Sequence, residues 1–349
     1  MEARGLSYSE SGVDRETGAR AKKRIGELVR RTCTADVLSS PGGFGGLFRA
    51  PAGYRAPVLV SSADSVGTKL KVAIRANRHD TVGIDIVNHC VDDILVEGAR
   101  PLFFLDYIGI GRMDAGTVEG IVTGLSAACI DNGCALIGGE TAELPDLYAA
   151  GDYDLAGFIV GVVEEDARPG AHRVGAGDAL VALGSDGFHT NGYSLLRRLL
   201  FDRLRLELDA DYPGTDRSVG EVLLTPHRSY LVPVLPLIEA GRIHALAHIT
   251  GGGMQENLVR VLPTGLAADI DTNTWDPPAE FTFVMQAGEV AHDEMFLTFN
   301  MGVGMILAVP AADADGVVDE LNAAGERAWV VGAVRTGERA VRLSPHEKG

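Results

Sequence analysis

Residues 61–69 read Ser-Ser-Ala-Asp-Ser-Val-Gly-Thr-Lys and follow an apolar run at residues 58–60. The segment brings a carboxylate (Asp64), hydroxyl groups, a turn-permitting Gly67 and Lys69 to the end of a predicted strand. These are the groups that a phosphate and magnesium site needs. The segment lacks the first glycine and the spacing of a Walker A loop, so that motif does not explain it. Other parts of the chain must therefore complete the site.

The composition is that of an ordinary globular protein. The chain has 349 residues, of which 46% are hydrophobic and 23% are charged, so it is long enough for two domains of about 150 to 200 residues. The formal charge of -17 argues against a nucleic-acid partner, because phosphate backbones are bound by excess Lys and Arg. An anionic substrate would need a metal ion or backbone amides to bind here.

Neither a secretory signal nor an apolar run of about 18 residues is visible, so we expect a cytoplasmic protein with no membrane segment. The cysteines have no Cys-x-x-Cys spacing and are too few for a disulfide scaffold. We therefore expect reduced thiols.

Hydrophobic periodicity and turn residues predict alternating strands and helices. Strands are expected at residues 58–62, 102–110, 135–137, 158–163, 179–183, 244–249, 266–270 and 303–309. Helices are expected at residues 68–76, 81–99, 114–131, 192–206 and 220–240. Acidic and turn-forming residues at 164–178 separate two groups of these elements. They predict an N-terminal domain at residues 1–168 and a C-terminal domain at residues 169–349.

The predicted helix at 81–99 has an apolar face and an opposite polar stripe. The stripe consists of Asp85, His89, Asp92 and Asp93. One interpretation is a solvated acidic face, which is common on amphipathic helices. The other is a magnesium site shared with Asp64, since clustered carboxylates repel one another unless a hard cation neutralises them.

Three glycine-rich loops are further candidates. In Gly-Gly-Glu at 138–140, the turn could bring Glu140 to a metal, although plain loop chemistry is the better explanation of this motif taken alone. The loops at 184–192 and 248–254 each follow a strand, and their amides could hold an anionic substrate. His189 and His248 in these loops have either a structural or a catalytic role. Residues 41–46 are a lid over nucleotide or a linker.

Together these motifs resemble one family closely. The matching segments are residues 7–14, 42–45, 64–69, 83–85, 101–107, 138–143, 189–195, 250–253 and 299–305. In this order they resemble the phosphoribosylformylglycinamidine cyclo-ligases, the aminoimidazole ribonucleotide synthetases of purine biosynthesis. The similarity runs from about residue 6 to residue 341. One departure is Asp92-Asp93, where that family usually has Asn-Asp, so Asp92 either tightens magnesium binding or faces solvent.

The resemblance implies a fold and a homodimer. It implies an α/β (α+β) protein with two domains in an AIR-synthase-like arrangement. The N-terminal domain contributes a half-barrel sheet that is completed by dimerisation and binds ATP and magnesium. The C-terminal domain is an α/β layer domain with helices on a sheet.

The resemblance also implies a reaction, the ATP-dependent closure of formylglycinamidine ribonucleotide to 5-aminoimidazole ribonucleotide, ADP and phosphate. Phosphoryl transfer from ATP to the formyl oxygen gives an iminophosphate. An amidine nitrogen then attacks the activated carbon, and phosphate departs. Catalysis of this kind is mostly positioning and electrostatics.

The site residues implied by the resemblance fall into three groups. The magnesium ligands are Asp64, Asp93 and Glu140, together with Asp85. The ATP contacts are Thr68, Lys69 and a lid of Gly43, Phe44 and Gly45. The substrate contacts are His189, Asn191, Thr250, Gly251, Gly252 and Gly253, and either His189 or His248 moves a proton during cyclisation.

Two alternatives remain open. One is another ATP-using enzyme of the same superfamily, such as selenophosphate synthetase, the hydrogenase-maturation dehydratase, thiamine-phosphate kinase or the amidotransferase synthetase of purine synthesis. Residues 41–46 lack the reactive Cys or selenocysteine and the Lys of selenophosphate synthetase, and the chain does not end in the reactive Cys of the maturation protein. The other alternative is a catalytically silent nucleotide-binding subunit, which would be expected to lose its metal-binding carboxylates.

Overall fold

The computed structural model describes residues 15–39, 43 and 45–344. Within those residues the chain forms two sheets. The first sheet lies before residue 165 and the second after residue 178. The predicted boundary at 168/169 lies in the segment that joins them. Among the described residues, no helix is both long and apolar enough to cross a membrane.

The first sheet has four strands in the order β1-β4-β2-β3. The strands are β1 (Pro57–Ser65), β2 (Arg100–Ile110), β3 (Ala135–Glu143) and β4 (Tyr153–Glu164). Strand β4 is antiparallel to both β1 and β2, whereas β2 and β3 are parallel. The sheet is curled into a half-barrel, and its helices are α1 (Arg15–Thr32), α2 (Leu70–Ala76), α3 (Asp80–Leu95) and α4 (Ala115–Asp131).

Helices α3 and α4 cross closely because glycines meet at the crossing. A Cβ atom on Gly124 would lie 1.8 Å from the carbonyl oxygen of Asp80, and one on Gly83 would lie 2.2 Å from that of Ile121. Both distances are impossible for real atoms, so only glycine allows this approach. Helix α3 therefore packs closely on α4, and its apolar side chains lie against the first sheet and α4.

The opposite face of the first sheet is exposed and partly apolar. Leu59 is 65% exposed, Phe158 is 43% exposed and Tyr107 is 38% exposed. Phe158 pairs with Ala63 on one side and with Leu105 on the other. A row of apolar side chains therefore crosses the sheet on a face that α3 and α4 leave uncovered.

The second sheet has six strands in the order β10-β7-β9-β5-β8-β6. The strands are β5 (Ala179–Gly184), β6 (Ala245–His248), β7 (Leu266–Ile270), β8 (Val303–Val309), β9 (Ala328–Thr336) and β10 (Val341–Leu343). All neighbours are antiparallel except β10 and β7. The α-helices are α5 (Tyr193–Arg197), α6 (Val219–Leu223), α7 (Leu231–Glu239), α8 (Gly253–Leu258), α9 (Ala279–Gly288), α10 (His292–Thr298) and α11 (Ala314–Ala323). A π-helical segment, Arg198–Arg203, continues α5.

The predicted helix at 220–240 is wrong as a single element. The structure has α6 and α7 with an irregular segment at residues 224–230 between them. Pro226 lies in this break, and a proline removes a backbone donor and disfavours helix before it. The break brings backbone groups of residues 225–230 to α3, where they form the contact between the two halves of the chain.

We expect Gly124→Ala to destabilise the fold by about 1–3 kcal/mol, because the added methyl group would overlap the Asp80 carbonyl. Gly116→Ala in the same helix is the matched control, since its Cβ would lie no closer than 3.4 Å to Asp114. We expect the control to change stability by less than about 1 kcal/mol, and towards greater stability. Urea unfolding measures both, and equal stability of the two variants would contradict the packing argument.

Candidate active site

Most of the stripe on α3 is buried and faces the C-terminal half. Asp85 Oδ1 accepts a hydrogen bond from His227 N (2.7 Å), and Asp92 Oδ1 accepts one from Tyr230 N (2.9 Å). Between them, Asn88 Nδ2 donates to His227 O (2.7 Å). The polar groups of α3 thus pair with the backbone of the break between α6 and α7. The solvated acidic face is therefore wrong for Asp85, His89 and Asp92, which are all buried.

Asp92 faces this contact rather than solvent. Its Oδ2 lies 3.5 Å from His227 Nε2, and the residue has no exposed surface. Burial raises the pKa of Asp92 well above its usual value, although the amide of Tyr230 acts in the opposite direction. The residue that departs from the family pattern therefore belongs to the contact between the halves.

Asp64 and Asp93 come together around His89. His89 Nε2 lies 2.8 Å from Asp64 Oδ2 and 3.9 Å from Asp93 Oδ2. Its Nδ1 is 3.0 Å from Thr190 Oγ1 in the C-terminal half. Burial acts to lower the pKa of His89, but the hydrogen bond to Asp64 and the charges of Asp93, Asp64 and Asp85 outweigh it and raise the pKa. The two carboxylates thus favour the protonated form of the His89 ring.

Both carboxylates are held ionised. Burial acts to raise the pKa of Asp93, but its hydrogen bonds and the nearby histidines lower it overall. The Asp93 partners are His248 Nδ1 at 2.9 Å and Ser62 Oγ at 3.0 Å. For Asp64, burial is again the largest influence, and His89 again outweighs it and lowers the pKa. The side chains of Asp64 and Asp93 are 39% and 27% exposed, so both are accessible to solvent.

The donor set fits a divalent cation. One ligand atom from each of His89, Asp93 and His248 lies within 4.8 Å of the others. Ionised carboxylate oxygens are the donors that magnesium prefers. Asp64 and Asp93 supply them at the open side of the group, whereas the imidazoles lie on its buried side. The pair Asp64 and Asp93 is therefore the part of the site that suits magnesium.

The structure does not bring Glu140 to this pair. One row of paired residues across the sheet joins Asp64, Gly157, Asp106 and Gly139. Glu140 pairs with Tyr107 in the next row. Three strand spacings, about 14 Å, separate β1 from β3. Successive residues also point to opposite faces, and Glu140 lies with the exposed Tyr107. Within a single chain the strand order thus separates Glu140 from Asp64 and Asp93, and Glu140 as a magnesium ligand stays a prediction.

Asp106 is a candidate site residue that the sequence motifs did not single out. It lies in the same row of the sheet as Asp64, on the face towards the core. Burial, followed by the charge of Glu140, raises the pKa of Asp106 to about 7. The sequence carries one signal for it. Asp106 lies two residues from each of the buried Phe104 and Ile108, and this spacing places its carboxylate on the same face of the strand as these core residues.

Lys69 and Asp85 are not free to meet ATP or a metal. Both side chains are fully buried, and Lys69 Nζ lies 2.8 Å from Asp85 Oδ2. Lys69 also donates to the carbonyl oxygens of His189 (3.0 Å) and Thr225 (2.7 Å). All three ammonium donors have partners in the protein, so the expected phosphate contact of Lys69 and metal contact of Asp85 are corrected. Thr68 is exposed, and its Oγ1 is 3.1 Å from Ser194 Oγ in α5.

His189 and His248 are both buried in the C-terminal half. His248 Nδ1 faces Asp93, and its Nε2 is 3.0 Å from His227 Nε2. Burial lowers the pKa of His248, so we assign a neutral ring that donates from Nδ1 and accepts at Nε2. His189 is buried, stacks on His227 with ring centroids 4.0 Å apart, and accepts from Asp186 N at Nε2. Both His248 nitrogens have partners in the protein, whereas His189 Nδ1 is buried without a hydrogen-bond partner. Proton transfer by either ring stays a prediction.

The other predicted substrate groups do meet. A Cβ on Gly251 would lie 3.3 Å from Asn191 Oδ1, which places the two loops in contact. Gly252 and Gly253 have positive φ angles of 88° and 61°, and a Cβ on Gly253 would lie 1.7 Å from Phe296 O. Asn257, which sequence reasoning missed, donates to the carbonyl oxygens of Gly251 (3.2 Å) and Gly253 (2.8 Å).

The predicted lid is described only in part. Gly43 and Gly45 are exposed, and Phe44 lies outside the described residues. A Cβ on the neighbouring Gly46 would lie 2.7 Å from Ile137 Cδ1, so the end of the segment packs on β3. Its covering of a nucleotide stays a prediction.

Comparison with known proteins identifies the family. Residues 52–163 match the AIR synthase related protein, N-terminal domain, and residues 175–343 match the AIR synthase related protein, C-terminal domain. A phosphoribosylformylglycinamidine cyclo-ligase of Trichlorobacter lovleyi is 50% identical over 331 residues, which cover 95% of each chain. The chain belongs to the phosphoribosylformylglycinamidine cyclo-ligase family. The resemblance first seen in the sequence motifs is thereby confirmed.

Solved structures with low identity share the fold of this cyclo-ligase family member. Thiamine-monophosphate kinase from Stenotrophomonas maltophilia has a TM-score of 0.68 at 19% identity, covering 91% of this chain and 94% of that chain. Hydrogenase maturation protein HypE in complex with ATP has a TM-score of 0.61 at 16% identity, covering 88% and 84%. The predicted two-domain AIR-synthase-like α/β fold is confirmed.

The raised pKa of His89 predicts a pH-dependent contribution to stability. His89 binds its proton more tightly in the folded protein than at the ordinary pKa of 6.5. Its contribution is therefore fully present below the unfolded pKa and is lost as the pH rises through the folded pKa. In metal-free buffer, we expect His89→Gln to lose more unfolding free energy relative to wild type at about pH 6 than at about pH 9. A difference that does not change with pH would contradict the raised pKa of His89.

Proposed function

We propose that this protein catalyses the ATP-dependent closure of formylglycinamidine ribonucleotide to 5-aminoimidazole ribonucleotide, with release of ADP and phosphate, in purine biosynthesis. The observation that carries the proposal is the 50% identity over 95% of the chain to a relative named phosphoribosylformylglycinamidine cyclo-ligase. ATP as the phosphoryl donor is supported by the complex of HypE, which shares the fold, with ATP. We further propose a cytoplasmic enzyme with domains at residues 1–168 and 169–349.

The chemistry requires two anionic ligands to be held in line. The formyl oxygen is a poor leaving group until phosphoryl transfer from ATP converts it to an iminophosphate. Attack of the amidine nitrogen on the activated carbon then closes the ring, and the C–O bond breaks as phosphate departs. Magnesium, when bound, offsets the charge on the transferring group. We propose that Asp64 and Asp93 hold it, since the pKa of each is lowered and both side chains are partly exposed.

We propose that the C-terminal half holds the substrate. Its candidates are Asn191 and the loop at residues 250–253, which are in contact with each other. Thr190 lies one residue before Asn191, and its contact with His89 links this loop to the proposed metal ligands. Substrate bound by these loops would therefore lie beside the nucleotide bound by the N-terminal half, which is the juxtaposition that phosphoryl transfer needs.

The test of function is phosphate release from ATP and Mg²⁺, with and without formylglycinamidine ribonucleotide, coupled to detection of the aminoimidazole product. Release that requires this substrate and equals product one for one would support the cyclo-ligase. Release without the substrate would favour a sister enzyme. Tight ATP binding without release would favour a silent nucleotide-binding subunit.

In the same assay, we expect Asp93→Asn to lower turnover at least about 100-fold with the fold intact, because loss of a second-shell partner of a metal already costs 10- to 100-fold. Asp92→Asn is the matched control, since it makes the same change at the neighbouring residue, which faces the contact between the halves. We expect the control to retain turnover. Equal activity of the two variants would refute the magnesium assignment.

We also propose that two copies pair through the exposed face of the first sheet, which would complete the half-barrel. The exposed Leu59 and Phe158 lie on this face, and an apolar face of this kind marks an interface. We expect Leu59→Glu to convert a dimer to a monomer, because it places a charge in the interface. Val232→Glu is the matched control, as Val232 is 70% exposed on α7. Sedimentation velocity measures the outcome, and a monomeric wild type would contradict the proposal.

A further inference from the structure

A single buried ion pair joins the strand end that carries Asp64 to two segments of the C-terminal half. Lys69 and Asp85 have no exposed side-chain surface, and Lys69 Nζ lies 2.9 Å from Asp85 Oδ1 and 2.8 Å from Oδ2. Lys69 ends the Gly67–Lys69 turn that follows β1, and Asp85 lies on α3. Both partners therefore belong to the elements that position Asp64 and Asp93.

The same two side chains bind three backbone groups across the contact. Lys69 donates to the carbonyl oxygens of His189 and Thr225, and Asp85 accepts from the amide of His227. The lysine has three donors, and each has a partner. One ion pair thus holds the loop that precedes Asn191 and the break between α6 and α7.

An apolar pair could fill this space but could not make these bonds. Buried ion pairs often add little net stability, because desolvation offsets their attraction. Here the pair makes hydrogen bonds to two carbonyl oxygens and one amide, and an apolar pair would leave these bonds unmade. His189 has a left-handed φ of 55°, which is unusual for a residue other than glycine, and its carbonyl is bonded to Lys69. The pair therefore fixes a specific loop geometry.

We propose that Lys69 and Asp85 are positioning residues for ring closure. They hold the loop at residues 189–191 in the position where bound substrate faces Asp64 and Asp93. The proposal rests on the assignment of this loop to the substrate under the proposed function. Thr190, within the held loop, contacts His89, which in turn contacts Asp64. A shift of the loop would therefore change the relation between the substrate loop and the proposed metal ligands.

The test compares Lys69→Met with Lys71→Met in the full-length protein. Lys71 is the matched control, since it pairs with Asp152 at the surface and its side chain is 46% exposed. Hydrogen exchange is measured by mass spectrometry for peptides covering residues 186–192 and 224–230. The KM values for formylglycinamidine ribonucleotide and for ATP are measured beside kcat.

We expect Lys69→Met to speed exchange in both peptides at least tenfold and to raise the KM for formylglycinamidine ribonucleotide at least tenfold, with the KM for ATP within threefold of wild type. Lys71→Met is expected to match wild type. A raised KM for ATP with normal exchange would overturn the proposal in favour of a direct phosphate contact by Lys69. Unchanged exchange and unchanged KM values would also overturn it.

A second variant covers the case in which Lys69→Met does not fold, since removal of one partner leaves Asp85 buried and unpaired. Lys69→Met/Asp85→Leu removes both charges and is expected to show the same exchange and KM changes. In wild type, the amide of His227 is expected among the slowest to exchange, because it is bonded to Asp85. Exchange there as fast as in an exposed loop would overturn the proposal without any variant.

Asn191→Ala separates this proposal from the proposed function. An unchanged KM for formylglycinamidine ribonucleotide in that variant would overturn the assignment of the loop to the substrate, and the positioning role with it. A raised KM in Asn191→Ala together with an unchanged KM in Lys69→Met would overturn the positioning role alone. Raised KM values in both would support both proposals.

Discussion

The pairing of α3 side chains with the backbone of residues 225–230 is the constraint on which the rest of the structure depends. Asp85, Asn88 and Asp92 bind the amide and carbonyl groups of His227 and the amide of Tyr230. The helix thus packs apolar residues against the first sheet and presents hydrogen-bonding groups to the second half. Because these groups are buried, each bond left unmade would cost free energy, so the halves dock in the arrangement that makes them all.

The electrostatics of the site follow from this docking. Burial lowers the pKa of His189 and His227 well below the ordinary value, and it lowers that of His248. His89, by contrast, has Asp64 and Asp93 beside it, and these carboxylates raise its pKa. The site therefore has three rings with lowered pKa at its base and one ring with raised pKa, His89, among the carboxylates. A divalent cation at Asp64 and Asp93 would lie next to His89, so binding of the cation and protonation of His89 oppose each other.

The sequence predicted the elements that have strong local signals. The expected helix at 114–131 is α4 (Ala115–Asp131), which begins at the cap formed by Asp114. The family motifs predicted the fold that periodicity alone did not show. The expected helix at 220–240 failed because Pro226 and the hydrogen bonds to α3 hold residues 224–230 in irregular backbone. Strand β9 was also missed, although it lies inside the second sheet.

The site could be predicted only in part, because a pattern gives a stripe of side chains and not what the stripe faces. Both interpretations of the α3 stripe directed it outward, to solvent or to a metal, and the structure directs most of it towards the other half. Lys69 was assigned to phosphate because of its place after Gly67. Two of its three hydrogen bonds, however, are to residues more than 100 positions away in the chain. Asp64 and Asp93 came together as expected, since a strand end and a helix packed on that strand bring them there.

The close crossing of α3 and α4 has a consequence for motion. With Gly83 and Gly124 in direct backbone contact, α3 has no room to slide on its apolar side. Relative movement of the two halves must therefore occur on the opposite side of this helix, where the contacts are directional hydrogen bonds. Apolar surfaces can shift by small steps, whereas such bonds are either made or broken. Separation of the two halves would then be a switch between separate states, with α3 moving as a rigid part of the N-terminal half.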